Sequence, residues 1–422
     1  MSTGDGQAGP RPDAQAFERD MRARFVTREN LERLFRLVLP HLDPEQPTLV
    51  YILTQSDRLG HLTLEPQILK TLYGDRYRRM VIVTGRMDRP GTNPWVRDCL
   101  GDGFVFVETD DQVILTMGYI DGGMADLKRI HLLLQSPRML ITDCWRRVAA
   151  GLRMAPLQLP DALADRCAGR LRSLGFDPEA PFAAFHMRTM RYLPGHAHHG
   201  HRSVSAEHYG ASVRAVLDAG YQVVRVGEPG LQLPPGDWDG YLSLPDAVPE
   251  DRAVDLFVLA RCAFGVLQNS GPMAVLAGFG RRTLRTNLPI EHLTIPHHQD
   301  LMLFKPYRDV GTGRFLTYRE ILDRRLAPIA RDAEFAEHGV ELVENTPDAL
   351  ADATREMLGC IAGTWQPDKA RNDRFYALGA AYEAAIRDDP WFRSEHLDFY
   401  GYAHPLGWVT STSLDQVPRF LD

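Results

Sequence analysis

The sequence predicts an α/β protein of two Rossmann-like domains that face each other across a cleft. First, the chain has 422 residues, too many for one ordinary hydrophobic core. Second, short apolar runs alternate with helical segments, which is typical of parallel strands covered on both faces. Third, this pattern pauses near Pro156–Pro160 and then restarts. We therefore expect the domains to span residues 16–160 and 161–364.

The predicted N-terminal domain follows a polar segment, residues 1–15, whose composition indicates disorder. A helix should run from Ala16 to Leu39, because apolar residues recur there at helical spacing. A second helix should begin near Leu62. Four apolar runs bounded by turn residues are the predicted strands: Thr48–Thr54, Met80–Gly85, Phe104–Thr109 and Met139–Asp143.

The predicted C-terminal domain opens with a helix over Asp161–Leu174 and closes with a helix over Asp348–Ile361. Its predicted strands are four further apolar runs: Pro181–His186, Tyr221–Gly227, Phe264–Gln268 and Arg282–Asn287. The tail, residues 365–422, is rich in aromatic residues. We expect it to pack back across both domains.

Composition and charge exclude several classes of protein. A net charge of −7 gives no electrostatic reason to bind nucleic acid or an anionic membrane. The N-terminus lacks the apolar stretch of a signal peptide, and the most apolar window, Phe257–Gly280, contains polar residues and a proline. Five widely spaced cysteines indicate buried thiols in a reducing compartment. We expect a cytoplasmic protein, and the sequence leaves open whether it forms a homodimer.

The turn from Gln268 to Pro272 predicts an anion site. It lies between an apolar strand and an apolar helix, and Pro272 suits the first turn of that helix. Ser270 and Gly271 would present backbone N–H groups at the helix start, where phosphates bind. Ligands of open α/β sheets bind at this edge, beyond the carboxyl ends of the strands.

A second element of this predicted phosphate site is His186-Met187-Arg188, which ends the first strand of the C-terminal domain. The guanidinium of Arg188 can donate two hydrogen bonds to a phosphate. The alternative is a surface arginine paired with a carboxylate. The residues that we expect to bind this phosphate ligand are His186, Arg188, Arg202, Gly227, Gln268, Asn269, Ser270, Gly271, Thr286, Asn287 and Lys305.

The loop from Asp57 to His61 is the predicted catalytic element of the N-terminal domain. Gly60 allows a tight turn and a close approach of ligand. His61 or Asp57 would then act as general base at the start of a helix. The alternative is that Asp57 caps the helix and His61 lies on the surface. A second substrate would contact Arg58, Gly60 and Glu65.

No metal is expected. The four histidines of Gly195–His201 lack the spacing and the Cys or carboxylate partners of a structural zinc site, so we interpret this segment as a mobile loop. The motifs of Rossmann dehydrogenases, P-loop kinases and α/β-hydrolases are missing.

Seven segments together resemble a family of bacterial glycosyltransferases with the two-domain GT-B fold. They are Asp57–Pro66, His186–Arg188, His198–Gly210, Gly220–Pro229, Asp255–Gly280, Leu301–Leu322 and His338–Leu350. The resemblance covers roughly residues 48–365 in order. The family pattern usually has Arg-Asn where this chain has Arg202-Ser203, so the side-chain amide of that pattern is missing here.

The resemblance implies a nucleotide-sugar donor in the C-terminal domain, an acceptor in the N-terminal domain and no metal. His-x-Arg at 186–188 also looks like the GDP-sugar signature of fucosyltransferase-type GT-B enzymes, whose arginine contacts the donor diphosphate. This favours a GDP-sugar. Helix dipole and basic side chains would stabilise the leaving diphosphate in place of a metal.

The sequence thus predicts a metal-independent glycosyltransferase that acts on a small-molecule acceptor. The scarcity of lysine suggests a GC-rich actinobacterial genome, and an antibiotic pathway with a thiol acceptor is one such setting. Two alternatives stay open: a nucleotide-sugar 2-epimerase of the same fold, and a non-catalytic nucleotide-sugar-binding protein.

Overall fold

The computed structural model describes residues 14–87, 92–189, 200–291, 300–387 and 400–422. It contains two mainly parallel sheets, each covered by helices, and one small antiparallel ribbon. The predicted α/β fold of two Rossmann-like units is confirmed. Residues 1–13 of the predicted disordered segment lie outside the described ranges, and Ala14 begins a helix.

The first sheet has five strands: β1 Thr48–Leu53, β2 Met80–Thr84, β3 Phe104–Glu108, β4 Gly123–Leu127 and β5 Ile130–Leu134. Their order is β3-β2-β1-β5-β4, and β4 is antiparallel to its neighbour. β1, β2 and β5 are buried along their whole length. The helices of this part are α1 Ala14–Phe25, α2 Arg28–Val38, α3 Leu59–Tyr73, α4 Val96–Cys99, α5 Gln112–Met117 and α6 Pro137–Ala149.

Two predictions for this part were wrong in detail. Met139–Asp143 lies inside α6, because Ser136 accepts a hydrogen bond from the backbone N–H of Met139 and Pro137 occupies the first helical turn. In place of the one strand that we had predicted there, the sheet has β4 and β5, which no predicted strand covered. The single helix over Ala16–Leu39 is two helices, since Thr27 caps α2 with its side chain.

The second sheet has seven strands: β6 Phe182–His186, β7 Gln222–Val226, β8 Tyr241–Ser243, β9 Phe264–Leu267, β10 Arg282–Leu288, β11 Leu301–Phe304 and, from the C-terminal tail, β14 Trp408–Val409. Their order is β14-β11-β10-β9-β6-β7-β8, and every pair is parallel. The chain therefore runs outward from β6 in one direction and then, from β9, in the other. Such a reversal is the topological switch point where doubly wound sheets bind ligands.

The remaining elements cover this sheet or form the ribbon. They are α7 Asp161–Ser173, α8 Gly210–Asp218, α9 Leu244–Ala247, α10 Arg252–Arg261, α11 Gly271–Gly278, β12 Tyr307–Asp309, α12 Tyr318–Asp323, α13 Asp332–Glu337, β13 Val340–Leu342, α14 Pro347–Ala362, α15 Lys369–Ile386, α16 Tyr400–Ala403 and α17 Ser411–Asp415. The tail packs back as expected: Leu406 joins the core of the first sheet, and Trp408–Val409 extends the second. Trp391, Phe392 and Phe399 of the tail lie outside the described residues.

Within the described ranges, no helix combines the length and the apolar character needed to span a membrane. The five cysteines are free thiols, and four of them are buried. Burial raises the pKa of Cys99, Cys144 and Cys262 to about 12, so these thiols are poor nucleophiles at neutral pH.

The two halves meet where α3 and α11 begin. A β-carbon added to Gly271 would lie 2.9 Å from Cβ of Leu59 and 3.2 Å from the backbone N of Gly60. Farther along the helices, Gly278 O accepts hydrogen bonds from the Gln67 side chain (3.4 Å) and from Leu157 N (2.9 Å). The starts of two helices, one from each sheet, are thus held in contact.

Gly271→Ala should lower Tm, because overpacking at such a contact costs about 1–3 kcal/mol. Gly169→Ala in α7 is the matched control: its β-carbon would have no neighbour within 4 Å, and alanine favours a helix interior over glycine. Calorimetric melting of both variants tests this contact. Equal melting temperatures for the two variants would contradict it.

Candidate functional site

The carboxyl ends of β6 and β9 meet at the switch point and are tied by hydrogen bonds. Arg188 N donates to Gln268 Oε1 (2.9 Å), and His186 Nδ1 lies 3.2 Å from Ser270 Oγ. The Ser270 hydroxyl donates to Gln268 O (3.1 Å) and does not cap α11. The Ser270 side chain therefore leaves the first N–H groups of α11 uncapped, and the anion site that we expect at this turn stays a prediction.

His186 acts on this turn as a neutral group. Its side chain is buried, and burial together with the charges of Arg188 and Arg225 lowers its pKa to about 3. Because the Ser270 hydroxyl already donates elsewhere, it accepts from Nδ1–H of His186. His186 was predicted to bind the ligand, and the structure places it behind Ser270, where it orients the hydroxyl.

Gly227 makes room for this imidazole. Its φ is +110°, and an added β-carbon would lie 2.6 Å from His186 Cδ2. We had predicted that Gly227 contacts the ligand. The structure shows that a glycine is needed here because a side chain would collide with His186. Arg188 is half-buried at the end of β6, and its positive charge reaches His186.

Three predicted ligand contacts lie instead in a buried polar network. Gln268 Nε2 donates to Tyr209 OH and to Thr286 Oγ1 (3.1 Å), and Asn287 Nδ2 donates to Tyr209 OH (3.0 Å). Asn287 and Asn345 exchange backbone-to-side-chain hydrogen bonds of 2.7 and 2.8 Å. Since these side chains satisfy one another, we reassign Gln268, Thr286 and Asn287 as supports of the strand ends.

Arg202 and Asn269 both contact Glu291, which follows β10. Arg202 binds the carboxylate with two hydrogen bonds (Nε–Oε1 3.0 Å, Nη2–Oε2 2.7 Å), and Asn269 Nδ2 lies 3.4 Å from Oε2. Burial opposes ionisation of Glu291, but Arg202 and His201 outweigh it and lower its pKa to about 2. The positive charge of Arg202 is therefore compensated by a carboxylate. We had considered such a pairing as the alternative for Arg188.

Lys305 lies behind the same segment. It is 3% exposed, and its Nζ donates to Ser203 O (2.9 Å). Burial lowers its pKa to about 8, and the charges of Glu344 and Asp332 oppose this shift. At neutral pH the ammonium is therefore still largely protonated and adds positive charge to this edge of the sheet.

On the α3 side of the contact between α3 and α11, His61 is held by a buried carboxylate. Glu65 is fully buried; it accepts a hydrogen bond from Tyr51 OH (2.6 Å) and bonds His61 Nδ1 (2.6 Å). The His61 side chain is 26% exposed, which leaves Nε2 as the ring nitrogen for a substrate proton. Glu65 was predicted to contact the acceptor, and its burial assigns it instead to orienting His61.

Asp57 and Arg58 line a separate cavity of about 330 Å³ at the carboxyl ends of β1, β2 and β3. The alternative that Asp57 caps the helix is not what is observed: the N-cap residue of α3 is Arg58, without a side-chain cap bond. Gly60, at the start of α3, faces Gly271 of the other half.

In the part of the chain that the structure describes, no cluster of three or more His, Cys, Asp or Glu side chains could hold a metal. Residues 195–199 of the histidine-rich segment lie outside it. His201 is buried, with Nδ1 bonded to Asp332 (2.6 Å) and Nε2 at 3.4 Å from Glu291.

Known structures overlap with this chain in part. A family 9 glycosyl transferase from Veillonella parvula DSM 2008 has a TM-score of 0.47 at 11% identity, covering 75% of this chain and 98% of that one. The E. coli ADP-heptose LPS heptosyltransferase II has a TM-score of 0.38 at 14% identity (57% and 84% covered). An E. coli heptosyltransferase solved with ADP has a TM-score of 0.33 at 12% identity (61% and 91% covered).

No family model matches the sequence, and no curated protein matches it either. The structural overlaps are partial, so the fold assignment rests on the strand order and pairing given above.

Proposed function

We propose that the protein is a metal-independent glycosyltransferase that moves a sugar from a nucleotide-sugar donor to a small-molecule acceptor. One observation carries the proposal: the open helix start at Ser270-Gly271 lies against the helix start that presents His61. A diphosphate site and a general base thus belong to two sheets whose carboxyl ends meet.

On the donor side, the N–H groups at the start of α11 and the Arg188 guanidinium bind the diphosphate. Both stabilise the negative charge that grows on the leaving oxygen when the bond to the sugar breaks, which is the role a metal plays in other transferases. Ser270, oriented by the neutral His186, adds a hydroxyl to this group. Lys305 contributes longer-range positive charge.

On the acceptor side, His61 acts as the base of an inverting transfer. The acceptor oxygen or sulfur forms the new bond to the anomeric carbon, its proton passes to Nε2 of His61, and the nucleoside diphosphate leaves. Glu65 holds the imidazole and stabilises the imidazolium that results. Asp57 is the second candidate base, because it is exposed in the neighbouring cavity.

The finer identity of the substrates is also part of the proposal. The His-x-Arg element favours GDP as the nucleotide. The acceptor is a small molecule, and an actinobacterial antibiotic pathway is its proposed setting. A thiol acceptor would suit the site, since it ionises more readily than a hydroxyl and demands less of the base.

Arg188→Ala should raise the donor KM and lower kcat, because the guanidinium contacts the diphosphate in both the bound and the transition state. We expect a loss of roughly 100-fold in kcat/KM. Arg172→Ala is the matched control, since this exposed arginine pairs with Glu179 on the surface. Steady-state kinetics against donor concentration provide the test, and unchanged donor kinetics in Arg188→Ala would rule out this contact.

His61→Ala should lower kcat by roughly 100-fold while the donor affinity stays unchanged, because the base acts on the acceptor. Glu65→Gln should show a smaller loss of the same kind, since it disturbs only the orientation of the imidazole. Exposed His338→Ala serves as the control. If His61→Ala loses donor affinity alone and Asp57→Asn loses kcat, Asp57 is the base.

A further inference from the structure

We propose that Asp332 is a positioning residue of the donor site, because it fixes the segment of residues 200–205 on which Arg188 and Asn269 depend. The inference deepens the proposed function and rests on it for the identity of the donor site. Asp332 begins α13, and no sequence motif pointed to it. Its carboxylate reaches the donor site through the segment 200–205.

The segment 200–205 holds the backbone of Arg188. Val204 N donates a hydrogen bond to Arg188 O (2.9 Å), and Arg188 N donates to Oε1 of Gln268 in the turn before α11 (2.9 Å). The Arg188 backbone is thus fixed on one side by the segment and on the other by the turn. A displaced segment would change where the guanidinium lies relative to the start of α11.

The same segment is coupled to Asn269, which precedes the Ser270-Gly271 helix start. Arg202 binds Glu291 with two hydrogen bonds, and Asn269 Nδ2 donates to the same carboxylate (3.4 Å). Glu291 is buried, so its charge is costly unless Arg202 stays paired with it. A shift of Arg202 would therefore displace Glu291 and, through it, Asn269.

Asp332 anchors the first two residues of the segment. Its carboxylate accepts hydrogen bonds from Gly200 N (2.7 Å), from His201 N (2.8 Å) and from His201 Nδ1 (2.6 Å). Phe335, three residues farther along α13, packs edge-on against the imidazole, with 5.4 Å between the ring centroids. Hydrogen bonds to an ionised carboxylate are roughly twice as strong as those between neutral groups. One carboxylate therefore fixes this end of the segment.

A second carboxylate anchors the other end of the segment. Glu344 accepts hydrogen bonds from Ser205 N (2.9 Å) and from Ser205 Oγ (3.3 Å). Between the two ends, Lys305 Nζ donates to Ser203 O (2.9 Å). The segment is thus held at both ends, and loss of either carboxylate should loosen it.

Loosening the segment should weaken donor binding without slowing the transfer step. When the binding-competent arrangement is populated only in part, the apparent affinity falls in proportion to that fraction. The contacts of the bound donor then restore the arrangement, so the complex that reacts is the same as in the wild-type chain. The donor KM should therefore rise while kcat at saturating donor stays unchanged. This is the opposite of the effect expected for His61→Ala.

Asp332→Ala, which removes all three hydrogen bonds, tests the inference by calorimetric titration of the full chain with GDP, UDP, dTDP and ADP. The Kd of the tightest of these nucleotides should rise about tenfold, which is worth about 1.4 kcal/mol. In transfer assays the donor KM should rise alike, with kcat retained. Glu337→Ala is the matched control, because this exposed carboxylate ends the same helix. Glu344→Ala is a second variant that should raise Kd in the same direction.

Amide hydrogen exchange of Val204 and Arg188, followed by NMR without a ligand, tests the positioning itself. Both amides should exchange faster in Asp332→Ala than in Glu337→Ala, since local opening becomes easier. Unchanged exchange, a lower Tm with an unchanged Kd, or a loss confined to kcat would overturn the inference. Failure of the proposed function gives a different result: the wild-type chain would bind none of the four nucleotides, and the donor role of Asp332 would be lost with it, whatever the amides show.

Discussion

The contact between Gly60 and Gly271 sets the geometry on which the candidate site depends. Each glycine lies at the start of a helix that follows a central strand of its sheet, and a side chain at Gly271 would meet the opposing backbone. Without β-carbons, the two helix starts can approach closely. In the proposed function, an anion bound at α11 and a proton acceptor on α3 would serve one substrate pair, although they belong to different halves of the chain.

Two basic side chains near the candidate site, Arg202 and His61, are bound by buried carboxylates. Glu291 binds Arg202 with two hydrogen bonds, so this guanidinium supports the structure. Glu65 holds His61 by one ring nitrogen and leaves the other for chemistry. Arg188 follows β6 and Arg58 follows β1, so each sheet carries a guanidinium at its carboxyl edge.

The sequence predicted the strands and the helix start well, because apolar runs and turn residues act locally. It could not predict the burial of Glu65 or the pairing of Arg202, since Tyr51 and Glu291 come near them only in the folded chain. The network of Gln268, Tyr209 and Asn345 was missed for the same reason. Met139–Asp143 was misassigned because a short apolar run suits a strand or a buried helix equally, and the capping by Ser136 was overlooked.

The central claim is that the helix start at Ser270-Gly271 binds the diphosphate of a nucleotide-sugar. The most direct measurement is the backbone amide shift of Gly271 in NMR titrations with GDP and with GMP. The account predicts a large shift with GDP and a much smaller one with GMP, because the second phosphate is the group that reaches the helix start. A Gly271 amide that does not move with GDP, UDP, dTDP or ADP would contradict it.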